Sequence, residues 1–321
     1  VKGLGFGLAI TLVCGMSFVA AGEETYAERF EWEPEDRVLI IHCDDAGMSH
    51  ASNMGAIEAL EYGLVTSAST MMPCSWVSEF AEYVKTHPNR DVGIHLTFTS
   101  EWDGYRWGPV AGKPAVPGLA DKQGCLWDSV SLVVQNATPD EVEKEIRAQI
   151  DRAETVGLTI THLDSHMGTL FTPAFFERYL KVGIEKQIPV LMVSPRGMPE
   201  DRGNMVEMLR AMAERVWNAG LPVIDYVHTA SYDWKTTEKI PLYSEAVRNL
   251  KPGITEMIVH CTKPDDVIGV ITGNREHLYG DYYAMVSPEL KRVIEEEGII
   301  LTTWRELKDR RQRIDQKEAG K

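Results

Sequence analysis

The chain has 321 residues, 44% of them hydrophobic and 25% charged, which excludes a disordered protein and suits one large core or two ordinary ones. Its net charge of −15 disfavours nucleic acid and anionic membrane as partners. The cysteines, Cys14, Cys43, Cys74, Cys125 and Cys261, have no paired metal-type spacing and are too few for a disulfide scaffold of this length.

At the amino end, Lys2 precedes an apolar run from Leu4 to Val19, followed by the small residues Ala20-Ala21-Gly22. This order reads as a signal peptide over residues 1–22, with export to a periplasmic or extracellular location. The apolar stretch is shorter than the ~20 residues of a membrane span, so no stable membrane association is expected after cleavage. Val13 before Cys14 is not the small residue of a lipoprotein signal. Residues 23–321, without repeats or a linker, read as one domain.

The first apolar run, Val38–Cys43, reads as a buried strand ending in Asp44-Asp45-Ala46-Gly47. Two adjacent carboxylates repel unless a positive charge lies beside them, and a metal ion is the commonest such charge in a site. One carboxylate can then hold a cation while the other stays free as a base. Ser49-His50-Ala51 opens a helix that stops at Gly63, and the run Thr66–Met72 follows. The run Val92–Phe98 contains Gly93-Ile94-His95-Leu96-Thr97. Beyond it, residues 99–138 form a long irregular stretch with Trp102, Tyr105, Trp107 and Trp127 among many Gly and Pro residues, the pattern of a lid or binding loop.

Thr138-Pro139-Asp140-Glu141 then supplies a cap, an N1 proline and an acidic first turn for a helix to Val156-Gly157. Further runs are Leu158–Leu163, Pro189–Val193, Pro222–Val227, Ile254–His260 and Ile299–Thr303, with helical segments after Thr172-Pro173 and Ser287-Pro288. The charged tail from Trp304 reads as a solvated helix. Strand alternating with helix about eight times predicts a distorted or regular (β/α) barrel of parallel strands. A doubly wound sheet would need a glycine-rich turn after the first strand, and that turn is Asp44-Asp45-Ala46-Gly47.

Functional residues of such a barrel gather at the carboxyl ends of its strands. His95, the group His162, Asp164 and His166, and His260 all fall at such ends. One carboxylate and two imidazoles around a cation leave positions open for water or substrate, as catalysis requires.

Together the segments Ile41–Ser49, Gly63–Ser69, Gly93–Leu96, Thr161–His166 and Pro252–His260 resemble the YdjC-like carbohydrate deacetylases, which include chitooligosaccharide deacetylases. The resemblance runs in order from about Arg37 to Arg305. It implies a distorted barrel related to polysaccharide deacetylase barrels, one divalent metal ion and an acetylated mono- or oligosaccharide substrate. By position, Asp45, His95 and His166 match the metal ligands and Asp44 the catalytic base. Analogy with the more distant NodB-type deacetylases makes His260 the general acid, with Arg196 orienting Asp44. Zn²⁺ and Mg²⁺ both tolerate such a mixed site. A homo-oligomer is compatible with the sequence. Trp102, Trp107 and Trp234 are the candidates for stacking on sugar rings. The chain departs from the family in reading Met167-Gly168 where a further histidine often follows, and Cys261 in place of the usual proline.

Hydrolysis of an amide or ester needs an activated water, a Lewis acid and a proton for the leaving group, which these residues supply. Two other classes compete. Non-haem iron oxygenases use the same two-histidine, one-carboxylate set, but have no use for the spare carboxylate Asp44. A non-catalytic carbohydrate-binding protein would be expected to have lost the base or a ligand, and neither is missing.

Overall fold

A computed structural model describes residues 24–196 and 203–320, so the expected signal peptide lies outside the described residues. The central element is β1 (Arg37–Ala46), ten residues long and buried from Val38 onward because both its faces are covered. Parallel to it run β2 (Ser67–Thr70), β3 (Val92–Leu96), β4 (Leu163–Ser165), β5 (Tyr226–His228), β6 (Gly253–Val259) and the short β7 (Ile300–Leu301). The order across the sheet is β4-β3-β2-β1-β6-β5, with β7 also pairing with β1.

The expected barrel is present and distorted. Among the described residues, the ring between β4 and β5 is carried only by the isolated bridges Leu163–Val190 and Val193–Ile224. Pro189 and Pro222 open these two runs, and a residue without an N–H cannot extend a ladder, so the predicted strand at Pro189–Val193 reduces to single bridges. A second distortion lies at β1. Its foot, Val38 and Leu39, pairs with β7, while its upper end, from His42, pairs with β2.

Several sequence signals are used as read. Ser49 caps the helix His50–Glu61, and Thr138 and Glu141 form a capping box on the helix Pro139–Thr155. The helix expected after Thr172-Pro173 starts later, at Phe176. Residues 99–138 are an ordered excursion, held by an Arg106–Asp121 ion pair at 2.6 Å and by Glu145, whose carboxylate accepts from the backbone N–H groups of Val110 and Ala111.

The tail helix Trp304–Ala319 corrects the expectation of a solvated segment. Trp304, Leu307 and Arg311 are spaced by three and four residues, and this one face is buried while the other charges are partly or fully exposed. Trp304 reaches into the barrel and donates its indole N–H to Glu256 Oε1 at 3.0 Å.

The helix His50–Glu61 lies directly against the segment after β6: a Cβ on Gly55 would stand 2.4 Å from the Cys261 carbonyl oxygen. Alanine favours a helix over glycine by roughly 0.5–1 kcal/mol, whereas overpacking against fixed backbone costs typically 1–3 kcal/mol. Gly55→Ala is therefore expected to lower stability, by about 1–2 kcal/mol, as read from the urea midpoint.

Candidate active site

The site begins with an irregularity in β1. Cys43 pairs with Ala68 and Ala46 with Thr70, so β1 carries one extra residue there, and Asp45 takes up the left-handed φ of +64°. Such a bulge re-aims side chains. Asp44 and Asp45, which would alternate along a regular strand, both face the carboxyl end of the barrel.

Asp45 Oδ1 lies 3.5 Å from His95 Nε2 and 3.3 Å from His166 Nδ1, and the two imidazoles stand edge to face with centroids 5.1 Å apart. In each imidazole the other nitrogen is held by a carboxylate. His95 Nδ1 donates to Asp164 Oδ1 at 2.6 Å, and His166 Nε2 to Glu101 Oε1 at 3.0 Å. Asp45 Oδ1 itself is buried with no hydrogen-bond partner. A buried, unpartnered carboxylate oxygen facing two oriented imidazole nitrogens suits a divalent cation, and the carboxylates behind the imidazoles fix their tautomers as metal ligands require. Burial would raise the pKa of Asp45, but His166, His260 and His95 hold it well below the usual carboxylate range.

Asp44 lies beside this trio. Its Oδ1 accepts from Ser69 Oγ at 3.3 Å and lies 3.1 Å from His42 Nε2, while Oδ2 faces His260 Nε2 at 3.7 Å. His260 is pushed up to about 9: burial alone would lower it, and the carboxylates Asp281, Asp45 and Asp44 outweigh burial. Its protonated form is thereby favoured. Behind it, Asp281 accepts from the His260 backbone N–H at 2.9 Å and is paired with the fully buried Lys239 at 2.5 Å.

The predicted residues thus divide. Asp45, His95 and His166 come together, and Asp44 and His260 face each other next to them. Arg196 instead pairs with Asp225, its Nε 3.6 Å from Oδ1, and the side chains against Asp44 are His42, Ser69, His95 and His260. The three tryptophans are engaged in packing, Trp102 and Trp234 remaining half-buried. Trp107 is buried, gives its indole N–H to Thr99 O and packs toward His166; Trp102 packs on Trp107, and Trp234 on Tyr243. The exposed aromatic at the centre is Tyr232, whose hydroxyl is 3.2 Å from His260 Nε2.

Sequence reasoning gave no role to Glu101, His42, Tyr232, Asp281 or Asp164. Asp164 carried a signal in its place beside His162 and His166 at a strand end, but its pairing with His95 appears only in the fold. Glu101, in an irregular loop, carried none. His162, equally histidine-like in sequence, is a core residue stacked on Trp304 at 5.6 Å, and burial lowers its pKa strongly.

Fold and centre define a class: a distorted parallel barrel with a two-histidine, one-carboxylate centre at its carboxyl end. The chain belongs to the YdjC-like family, whose profile matches residues 38–296. It is 31% identical to a carbohydrate deacetylase of Thermus thermophilus over 85% of this chain and 94% of that protein. It is 26% identical to a chitooligosaccharide deacetylase of Yersinia enterocolitica over 84% and 98% of the two chains. The fold is shared with a putative cellobiose-phosphate cleavage protein of Enterococcus faecalis, with a TM-score of 0.70 and 24% identity over 85% and 99% of the chains.

Beneath the centre, Glu256 is raised to about 7, by burial first and by Asp164 and Asp44 as well, against the pull of His42 and Trp304. Its neutral form contributes stability that is full below its ordinary pKa of 4.5 and lost as pH rises through 7. Glu256→Gln keeps an acceptor for Trp304 and cannot ionise. Relative to the parent, this variant should gain on the order of 3 kcal/mol between pH 4.5 and 8, measured by urea unfolding. A constant difference across that range would show that Glu256 ionises normally.

Proposed function

We propose that this protein is a divalent-metal-dependent carbohydrate deacetylase that releases acetate from acetylated mono- or oligosaccharides. The observation that carries the reading is the unpartnered Asp45 Oδ1 between His95 and His166, beside the facing pair Asp44 and His260. Family membership and the names of the relatives support the substrate class.

Asp45, His95 and His166 are the residues that would hold the ion. Bound there, it would supply a Lewis acid for the acetyl carbonyl and lower the pKa of water. Asp44, steadied by Ser69 and His42, takes the proton of the attacking water. His260, its protonated form favoured, gives its proton to the departing amine or alcohol. Base and acid are separate groups 3.7 Å apart, so one residue need not serve both proton transfers. This pair favours hydrolysis over oxygen activation, which needs no such base, and over a purely binding role, which needs neither.

Residues 1–22 belong to the same reading, as a leader that exports the enzyme to where acetylated glycans are met outside the cytoplasm. Mass spectrometry of the native protein should find the mature amino terminus near Glu23. An intact terminus in a soluble cytoplasmic fraction would rule export out.

Acetate release from N-acetylated chitooligosaccharides and O-acetylated sugars, with metal content measured in parallel, tests the function. His166→Ala should lose stoichiometric metal, whereas Glu101→Ala, which removes only the partner of His166, should weaken affinity by about 10–100-fold. Retention of tight metal by His166→Ala would overturn the ligand set.

Asp44→Asn separates the two carboxylates. An amide cannot accept the proton, so kcat should fall by ~10²–10⁴-fold while metal content and KM stay near the parent values. Parent-like turnover in this variant at equal metal occupancy would sink the mechanism.

A further inference from the structure

A groove of about 720 Å³ lies between the start of the helix Phe176–Lys186 and the helix Gly203–Asn218, and nothing in the proposed chemistry uses it. Met205, Met208, Leu209 and Met212 follow helical spacing and present one apolar face to it. Phe171 is 41% exposed, Met205 46%, Met208 45% and Val227 41%, and four large apolar side chains left in water around one depression mark a binding surface.

The groove adjoins the catalytic centre through shared elements. Phe171 ends the short helical turn that begins at His166. Ile258, on the groove wall, pairs in register with His42 across β6 and β1, and His42 lies 3.1 Å from Asp44. Thr229 leads into the turn that carries Tyr232. A ligand seated here therefore reaches the elements that hold the acid and one proposed metal ligand.

The lining also says what that ligand is. Sugar hydroxyls against methionine and phenylalanine walls would lose their water without gaining partners. The charged side chains at the groove, Glu177, Arg196 and Asp225, are few beside the apolar ones. Methionine side chains are polarizable and adapt to irregular apolar guests. We infer that this groove binds an alkyl chain carried by the sugar substrate, as an apolar aglycone or as an acyl group longer than acetyl. The inference rests on the deacetylase reading for the identity of the sugar, and on the groove alone for the chain.

The test compares methyl and octyl β-glycosides of N-acetylglucosamine with N-octanoylglucosamine, using the metal-loaded full chain. Each buried methylene strengthens binding roughly fourfold, so a half-seated octyl chain should lower KM by ~10²-fold relative to the methyl glycoside. An advantage confined to the octyl glycoside identifies an aglycone site, and one confined to N-octanoylglucosamine an acyl site. Met208→Glu, on an exposed side chain outside the proposed catalytic set, should abolish the advantage and leave the methyl glycoside kinetics unchanged. Equal KM values for all substrates in the parent protein would overturn the inference.

If no substrate is cleaved, the deacetylase reading falls separately. Calorimetry with octyl and methyl β-glucoside then decides the groove: tighter octyl binding that Met208→Glu removes supports it, and equal binding overturns it. A change of oligomeric state in Met208→Glu by sedimentation, with octyl binding intact, would assign the groove to a second copy of the chain and also overturn it.

Discussion

The centre depends on one extra residue in β1. Without the bulge between Cys43 and Ala46, Asp44 and Asp45 would point to opposite faces of the strand and only one could reach the histidines. The bulge requires a left-handed backbone at Asp45, tolerated better by aspartate than by most residues but still unfavourable, on the order of 1 kcal/mol or more. Gly47, at φ +85°, completes the turn, and a Cβ there would stand 2.8 Å from Val77. Strain of this kind persists only where the surroundings over-determine it. Here β2 and β6 flank the strand, and the Asn53 side chain accepts the Gly47 N–H at 2.6 Å.

The bulge brings negative charge into a buried space, and the surrounding residues answer it. Asp44, Asp45, Asp164 and Glu101 meet His42, His95, His166 and His260 within a few ångströms. Burial disfavours the charged form of every one of these groups, so the arrangement holds only because each is paired. His42 illustrates the balance. Burial would lower its pKa, yet hydrogen bonds to Asp164 and Asp44 and the charge of Glu256 raise it well above normal. A cation at Asp45 would join a network whose imidazoles are already oriented, so little would have to move on binding.

Much of this was legible in the chain. Strand ends were readable because apolar runs stop at polar residues with chemistry, and the helix caps at Ser49 and Thr138 work through the local hydrogen bonds that the sequence names. What was hidden is what depends on register and on loops. That Asp164 serves His95 follows from a cross-strand pairing that no single segment reveals. Glu101 comes from a stretch with no periodicity, and the tryptophans that drew attention to that stretch fold inward to anchor it. Trp304 looked like part of a charged tail because composition averages over a helix, while the face that docks it is carried by Trp304, Leu307 and Arg311, with Ile314 packed alongside.

The two sides of the proposed reaction owe their difference to what lies behind them. Asp44 is backed by a serine hydroxyl and by His42, which hold its Oδ1 in place. His260 is backed by Asp281, a carboxylate lowered to about 2 by His260, His277 and Lys239 despite its burial. Lys239 is itself fully buried and anchored to Ser231 O at 2.9 Å and to His277 Nδ1 at 2.7 Å, while Tyr243 donates to Asp281 at 2.6 Å. Asp281 is thus kept as an anion in a place where a free carboxylate would neutralise. A fixed anion 3.8 Å from His260 Nδ1, with Asp44 on the opposite side, favours the charged imidazole. An imidazole that already holds its proton cannot accept the proton of water, so the buried Lys239–Asp281 pair supports the proposed division of labour between Asp44 and His260.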